Sequence, residues 1–178
     1  YKIIKTLPKN IKFNTKKVDN VVIGFEAGWA CRKPFDESIL TLLKYLNKKN
    51  KSIKIVGNLK QKDSFSKYED LRGQLTLKEL IKVVSNADLV ITADSGLFHI
   101  AQLLQKNTIS LFGPVDPILR SYPNHKNLFM YRDDLECIGC SSKIDISRFD
   151  GKCPLIHNEC MNFSNDFIKR FIKKCVDL

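Results

Sequence analysis

The chain has 178 residues, of which 43% are hydrophobic and 28% are charged. These values are ordinary for a folded globular domain and exclude a globally disordered or collagen-like chain. An uncharged, mostly apolar run such as residues 107–115 is about half as long as a bilayer crossing requires, and the sequence as given shows no signal-peptide pattern. Because the sequence starts at Tyr1 without a Met, we expect it to be a segment of a longer protein.

The net charge of +11 is concentrated at the beginning of the chain. Residues 1–62 contain 15 Lys/Arg and 4 Asp/Glu, whereas residues 63–178 contain 15 of each. The early lysines are scattered among Asn, Thr and Ile rather than alternating with aromatic residues, which argues against a nucleic-acid partner. Two interpretations remain: a solvated basic face, or attraction to an anionic surface such as lipid headgroups or a phosphorylated glycan.

Predicted strands and helices alternate along the chain from Val21 onward. Short runs rich in β-branched residues predict strands over residues 21–25, 52–56, 88–92 and 108–112, and the apolar and aromatic run over residues 127–131 predicts a last strand. Helical spacing of apolar residues and capping signals predict helices over residues 39–46, 76–86, 96–105, 116–121 and 165–176. The polar stretch over residues 58–70 is predicted to be a loop or an irregular helix.

This alternation predicts an α/β fold with a doubly wound parallel sheet, because right-handed crossovers place helices on both faces of such a sheet. We expect residues 21–178 to form this domain, preceded by a polar, basic lead-in or linker over residues 1–20. Ligands bind such sheets at the carboxyl ends of the strands. The loops that follow the strands are therefore the places to search for a site.

The turn Asp94-Ser95-Gly96 is the strongest candidate binding site in the sequence. It falls where a predicted strand ends and a helix begins, so the amides around Gly96 and Leu97 are available to an anion such as a diphosphate. His99 lies one helical turn after Ser95 and adds a donor, while Asp94 is placed to accept from a sugar hydroxyl. The plainer alternative is that Ser95 caps the helix and His99 is a satisfied helix residue.

Two further loops face the same predicted edge of the sheet. Gly113-Pro114 ends the next strand, and Asp116 either lies near the ligand or only caps the short helix that it begins. Trp29 and Phe35 follow the first strand. They either stack on a sugar or base, or are partly buried at an interface.

Four of the six cysteines cluster after the last predicted strand: Cys137, Cys140, Cys153 and Cys160. The first two form a C-x-x-C pair, and four thiolates suit Zn or Fe in a closed tetrahedral site. Such a metal would order residues 137–160 without taking part in catalysis. The alternatives are two disulfides, which a reducing cytoplasm disfavours, and plain reduced thiols.

Two motifs and their spacing resemble glycosyltransferase family 9, the heptosyltransferases of lipopolysaccharide assembly. These are Asp-Ser-Gly-x-x-His-x-Ala over residues 94–101 and Leu-Phe-Gly-Pro-x-x-Pro over residues 111–117. The helix start over residues 75–80 is also similar. The resemblance covers residues 21–178 and implies a Rossmann-like domain, the C-terminal, donor-binding half of a two-domain GT-B enzyme. It implies that the acceptor-binding half, with its acidic catalytic base, is absent from this sequence.

The resemblance also implies roles for individual residues in binding a nucleotide-sugar donor. It assigns Lys33 to the donor diphosphate, and Arg32 is the alternative because Pro-Phe follows here where the family usually has Trp-Pro after an intervening residue. Backbone near Leu75 is assigned to the nucleobase, and His99 to a phosphate. The donor cradle is assigned to Asp94, Ser95, Gly96, Leu97 and Gly113. The acidic residue that reaches the ribose after the family's second strand has no clear counterpart here.

The reaction that the resemblance implies is inverting and needs no catalytic cofactor. It moves a sugar, with ADP-heptose the expected donor, to a lipopolysaccharide or another glycan or lipid-linked acceptor at the membrane surface. The implied location is the cytoplasm, peripheral on the inner face of the cytoplasmic membrane. Family members often carry a similar cysteine pattern, here ending Cys160-Met161, and some protein-heptosylating relatives are described as holding iron there.

Three alternatives to this enzyme stay open at the level of the sequence. One is a non-catalytic nucleotide or nucleotide-sugar binding module. Another is a protein-modifying heptosyltransferase with a metal site of four cysteines, and the third is a redox or metal-sensing protein built on the cysteine cluster.

Overall fold

The computed structural model describes residues 18–49, 51–58, 65, 67–122, 127–143 and 150–175, with the side chains of 173–175 left out. Most of the basic lead-in, residues 1–17, lies outside these ranges, as do residues 59–64 of the predicted polar loop. The two interpretations of the early lysines therefore stay predictions.

Six strands form one parallel sheet in the order β3-β2-β1-β4-β5-β6. In chain order they are β1 (Asn20–Gly24), β2 (Ser52–Ile55), β3 (Glu69–Asp70), β4 (Leu89–Ala93), β5 (Asn107–Phe112) and β6 (Asn127–Tyr131). The direction of winding reverses between β1 and β4, which creates a switch point at the carboxyl edge. The predicted doubly wound, Rossmann-like sheet is confirmed.

Helices cover both faces of this sheet. In the described ranges they are α1 (Asp36–Asn47), α2 (Leu77–Ser85), α3 (Gly96–Leu103) and α4 (Asn165–Cys175). Alternate residues of a strand point to opposite faces, so Ile23 and Ile91 join a large apolar cluster while Val22 and Val90 join a second one. The faces of α1 and α4 complete the first cluster and those of α2 and α3 the second, while Phe98 of α3 also joins the first. None of the described helices is long and apolar enough to cross a membrane.

Several local predictions are confirmed and others are corrected. Thr76 forms the expected capping box: its hydroxyl accepts from the Glu79 amide at 3.3 Å, and the Glu79 carboxylate accepts from the Thr76 amide at 2.8 Å. The strand β3 was not predicted, because two acidic residues without β-branched neighbours carry no strand signal. The helix predicted over residues 116–121 is a single 3-10 turn, Pro117–Leu119, capped by Asp116.

The carboxyl ends of the strands bring the candidate loops together. β4 and β5 run parallel with Ala93 beside Leu111, so Asp94 and Gly113 follow their strands at the same edge, as predicted. The loops after β1 and β2 reach this edge as well.

The last third of the chain is hydrogen-bonded to the loop after β1 and to the start of α1. The Cys31 amide donates to the Gly151 carbonyl at 3.1 Å, and the Phe35 amide donates to the Met161 carbonyl at 3.2 Å. The Ser38 hydroxyl both donates to the Phe163 carbonyl and accepts from its amide. The position of the loop therefore depends on residues about 120 positions later in the chain.

Candidate functional site

A cleft of about 290 Å³ opens at the switch point of the sheet. It is bounded by the loops after β1 and β2, by residues 75–80 at the start of α2, and by residues 95–100 at the start of α3. Open α/β sheets bind ligands at this position because the loops diverge there. The cleft is therefore the candidate binding site.

The start of α3 forms one wall of the cleft. Ser95 occupies the N-cap position, but its side chain makes no capping hydrogen bond, and its hydroxyl lies 3.2 Å from that of Thr92. The first amides of a helix have no partner within the helix, so Gly96 and Leu97 keep their amides for a ligand. A Cβ added at Gly96 would meet nothing within 4 Å. The alternative in which the Ser95 side chain caps the helix is not seen in the structure.

Two other glycines allow close contacts beneath the cleft. A Cβ at Gly24 would lie 2.5 Å from the Leu97 side chain, so a side chain there would push α3 away from β1. A Cβ at Gly57 would lie 2.6 Å from the carboxylate of Glu26. That carboxylate accepts a hydrogen bond from the Asn58 amide at 2.6 Å. The cleft thus contains a fixed acidic group near the end of β2.

Glu26 is not among the site residues predicted from the sequence, because the acidic residue for the ribose was expected only in the segment that follows β2. Glu26 follows β1, and the parallel pairing of β1 with β2 places the two loops side by side. The only signal in the sequence is a lone glutamate two residues after a buried strand.

The opposite end of the cleft is apolar and firmly positioned. Leu75 is half-buried and packs against the second apolar cluster, directly before the capping box of α2. The preceding turn is held by Arg72, whose buried guanidinium makes two hydrogen bonds to the Asp70 carboxylate at 2.9 Å and 2.8 Å. Leu75 therefore presents a fixed apolar surface to whatever enters the cleft.

Asp94 lies outside the lining of the cleft, on the side towards β5. The residue is 3% exposed, and its carboxylate lies 3.3 Å from the guanidinium of Arg32, which in turn stacks on the Trp29 ring at 3.6 Å. Burial lowers the pKa of Arg32, the Asp94 carboxylate opposes this shift, and Arg120 adds to it. Of the two candidate cations, Arg32 is the one beside the Asp94 turn. Lys33 borders a smaller depression together with Glu26.

His99 lies on α3, on the same side as Asp94. Its half-buried ring meets Phe98 and Tyr122 edge-on, with centroid distances of 5.2 Å and 6.1 Å. The Nδ1 atom is buried and has no hydrogen-bond partner within the described ranges. The prediction that His99 is a satisfied helix residue is therefore not met, and the role in phosphate binding stays a prediction.

Gly113 packs against the cysteine-rich segment and does not line the cleft. A Cβ at this position would lie 2.7 Å from the Cys160 sulfur and 2.7 Å from the Met161 sulfur. The Gly139 amide also donates to the Gly113 carbonyl at 3.0 Å. The glycine is needed here so that the segment can approach the end of β5.

The cysteines predicted as metal ligands lie near one another and are free thiols: Cys137, Cys140, Cys153 and Cys160. The structure adds Cys31, which interacts electrostatically with Cys140 and Cys153. Burial raises the pKa of Cys160 to about 12 and that of Cys31 to about 11, so both are protonated at neutral pH.

No group of three or more His, Cys, Asp or Glu side chains among the described residues is arranged to hold a metal ion. The thiols as they stand do not fit a closed tetrahedral site, and the structural Zn or Fe stays a prediction. Elemental analysis of protein purified without chelator tests it.

The family model for glycosyltransferase family 9 (heptosyltransferase) matches residues 43–148, more than half of the chain. The chain belongs to this family. Over 100 residues the family 9 chain is 32% identical to lipooligosaccharide heptosyltransferase 2 of Campylobacter jejuni, a match that covers 56% of the chain and 29% of that protein. The family 9 chain therefore corresponds to a partial, C-terminal-like portion of its relatives.

Solved heptosyltransferases with the GT-B fold share the architecture. The iron-containing dodecameric glycosyltransferase TibC from enterotoxigenic E. coli matches with a TM-score of 0.72 and 18% identity, over 90% of this chain and 47% of TibC. E. coli heptosyltransferase WaaC with ADP-2-deoxy-2-fluoro heptose matches with a TM-score of 0.59 and 16% identity, over 92% of this chain and 46% of WaaC. At these identities the likeness shows the fold.

Proposed function

We propose that the family 9 chain is the donor-binding part of an inverting heptosyltransferase that takes its sugar from ADP-heptose. The acceptor in this proposal is a lipopolysaccharide or another bacterial surface glycan, met at the cytoplasmic face of the membrane. The observation that carries the proposal is the cleft at the switch point, with the uncapped start of α3 in its wall.

Each part of a nucleoside diphosphate sugar has a suitable partner at this edge. The apolar surface at Leu75 suits the nucleobase, and the Glu26 carboxylate is an acceptor for the hydroxyls of a ribose. The amides of Gly96 and Leu97, at the positive end of the α3 dipole, suit the diphosphate. Of the similar solved structures, one of TibC is in complex with ADP-D-beta-D-heptose and one of E. coli WaaC is with ADP.

The chemistry that this arrangement supports is stabilisation of the leaving group. As the bond between the sugar and the diphosphate breaks, negative charge grows on the departing phosphate, and the helix amides and a nearby cation stabilise it without a metal ion. Arg32 and Lys33 are the candidate cations. The acceptor hydroxyl attacks the opposite face of the anomeric carbon, which inverts its configuration. We propose that the base for this hydroxyl comes from the acceptor-binding part of the enzyme.

The test is nucleotide binding by a matched pair of glycine variants. Gly96→Val adds a side chain in the open space where the diphosphate is proposed to lie, so we expect it to abolish ADP binding. Gly28→Val is the control, because a Cβ at that exposed glycine also meets nothing within 4 Å and the residue does not border the cleft. Titration calorimetry with ADP, GDP and UDP measures the effect.

Equal ADP affinity for Gly96→Val and the parent chain would exclude the cleft as the donor site. A preference of the parent chain for GDP or UDP over ADP would contradict the proposed donor. A rise in melting temperature with ADP concentration provides a second measurement, since a ligand that binds only the native state stabilises it.

A further inference from the structure

A second group of charged side chains lies on the β5 side of the start of α3, opposite the cleft. The sheet order β1-β4-β5 separates the two places, because the cleft borders the loops after β1 and β2 whereas Arg120 follows the 3-10 turn after β5. Arg120 is close enough to Arg32 for their charges to repel one another. Asp94 and His99 occupy the same side.

This group carries more positive charge than its own residues balance. Among the described residues, the Arg32 guanidinium lies 3.3 Å from one carboxylate, that of Asp94, and interacts with the second cation, Arg120; the Arg32 side chain is only 13% exposed. Two half-buried guanidinium groups near one another are unfavourable unless a further negative charge lies between them. The excess of positive charge therefore indicates an anionic ligand.

Unpartnered atoms point to the same conclusion. Within the described ranges, the Nε atoms of Arg32 and Arg120, the Nδ1 atom of His99 and the Oδ2 atom of Asp94 are buried and make no hydrogen bond. Buried donors are rarely left without an acceptor, and here two arginine Nε–H donors lie in one neighbourhood with an unpartnered imidazole nitrogen. A phosphate offers several acceptor oxygens and matches the planar fork of arginine.

We infer that Arg120, together with Arg32, binds the distal phosphate of the nucleoside diphosphate donor. The inference rests on the proposed function. With the nucleoside in the cleft, the first phosphate meets the amides of Gly96 and Leu97, and the second continues past the start of α3 towards β5. Arg120 is then the residue that distinguishes a diphosphate from a monophosphate.

The test compares ADP, AMP and inorganic pyrophosphate by titration calorimetry on the parent chain and on Arg120→Gln. We expect Arg120→Gln to weaken ADP binding about 10- to 100-fold, as for the loss of a hydrogen bond to a charged group, and AMP binding less than about 3-fold. Arg120→Lys keeps the charge and recovers part of the loss. Arg170→Gln is the control, because it makes the same change on an exposed position of α4.

The outcomes separate the two proposals. If Arg120→Gln weakens the binding of ADP and AMP equally, or weakens the binding of neither, the inference is wrong. ADP binding by the parent chain still supports the proposed function in that case. If the parent chain binds pyrophosphate through Arg120 but binds no nucleotide, the anion site stands and the proposed function fails. Failure of the parent chain to bind any of the three probes overturns both. Circular dichroism of each variant checks that the fold is kept.

Discussion

The two sides of the start of α3 are built in different ways. The cleft side consists mainly of backbone amides, closely approached glycines and aliphatic side chains, with Glu26 as its one acidic side chain among the described lining residues. The β5 side consists of charged side chains from separate loops, enclosed by Trp29 and Tyr122. The first side is open and shaped by the backbone, whereas the second is crowded and depends on tertiary contacts.

The cleft side is therefore suited to recognise a ligand by its shape, and the β5 side to recognise it by its charge. Backbone amides and an apolar wall suit a nucleoside and its nearest phosphate whatever the protonation of nearby side chains. The β5 side depends on the balance of a few charges in a half-buried place, where a single substitution has a large effect. Substitutions on the β5 side should therefore affect both folding and binding, and substitutions on the cleft side mainly binding.

The largest expected effect is on the buried ion pair. Asp94→Ala leaves the Arg32 guanidinium buried without its carboxylate, so we expect the free energy of unfolding to fall by about 3 kcal/mol. Urea denaturation measures the change, with Asp36→Ala at the exposed start of α1 as the control. Pyrophosphate should restore part of the loss by supplying the missing negative charge. A loss no larger than that of the control would show that the pair contributes little.

An intermediate effect is expected in the cleft, where Glu26 is proposed to accept from ribose hydroxyls. Glu26→Ala should weaken ADP binding by about 1.5 kcal/mol, with little change in the melting temperature. The parent chain should prefer ADP to 2′-deoxy-ADP, and the variant should bind both equally. If the variant keeps the preference of the parent chain, the carboxylate does not contact the ribose.

The smallest effect concerns pH and the cysteine-rich segment in chelator-treated protein. Burial raises the pKa of Cys160 from 9.0 to about 12, so the folded state keeps the thiol protonated where the unfolded chain ionises. The contribution of this thiol to stability is complete below about pH 9 and is lost as the pH rises towards about 12. At about pH 10 we expect a loss of about 1 kcal/mol.

Urea denaturation at about pH 8 and about pH 10 measures this loss, and Cys160→Ala is the matched control because it removes the titrating group. We expect a smaller decrease in the variant than in the parent chain. Equal decreases in both would show that Cys160 is not protected from ionisation by burial.

The elements with strong local signals were predictable from the sequence. Four of the longer strands follow from β-branched runs and β6 from an apolar and aromatic run, and the start of α2 follows from the spacing of Thr76 and Glu79. The two-residue strand β3 was not predictable, because it forms by pairing with β2 and not by local preference. The Asp94 turn was located correctly at the edge of the sheet because strand and helix signals meet there.

The charged groups of the site were harder to predict. Arg32 and Asp94 are 62 positions apart in sequence, and no local sequence pattern predicts that they form an ion pair. Arg120 follows the 3-10 turn that begins at Pro117, and the sequence of this turn does not indicate which residues lie near Arg120. Glu26 follows β1, whereas an acidic residue was expected after β2. Contacts between loops are set by sheet order and register, which the sequence alone leaves open.

The hydrogen bonds from residues 31–38 to residues 151–163 have a consequence for synthesis on the ribosome. The loop that carries Arg32 leaves the exit tunnel early, but its partners at Gly151, Met161 and Phe163 are translated about 120 residues later. The first strands and helices can pair before that point, since their contacts are closer in sequence. We therefore expect nascent chains that end before residue 150 to lack an ordered Arg32 loop, and anion binding on the β5 side to appear only after residues 151–163 have been synthesised.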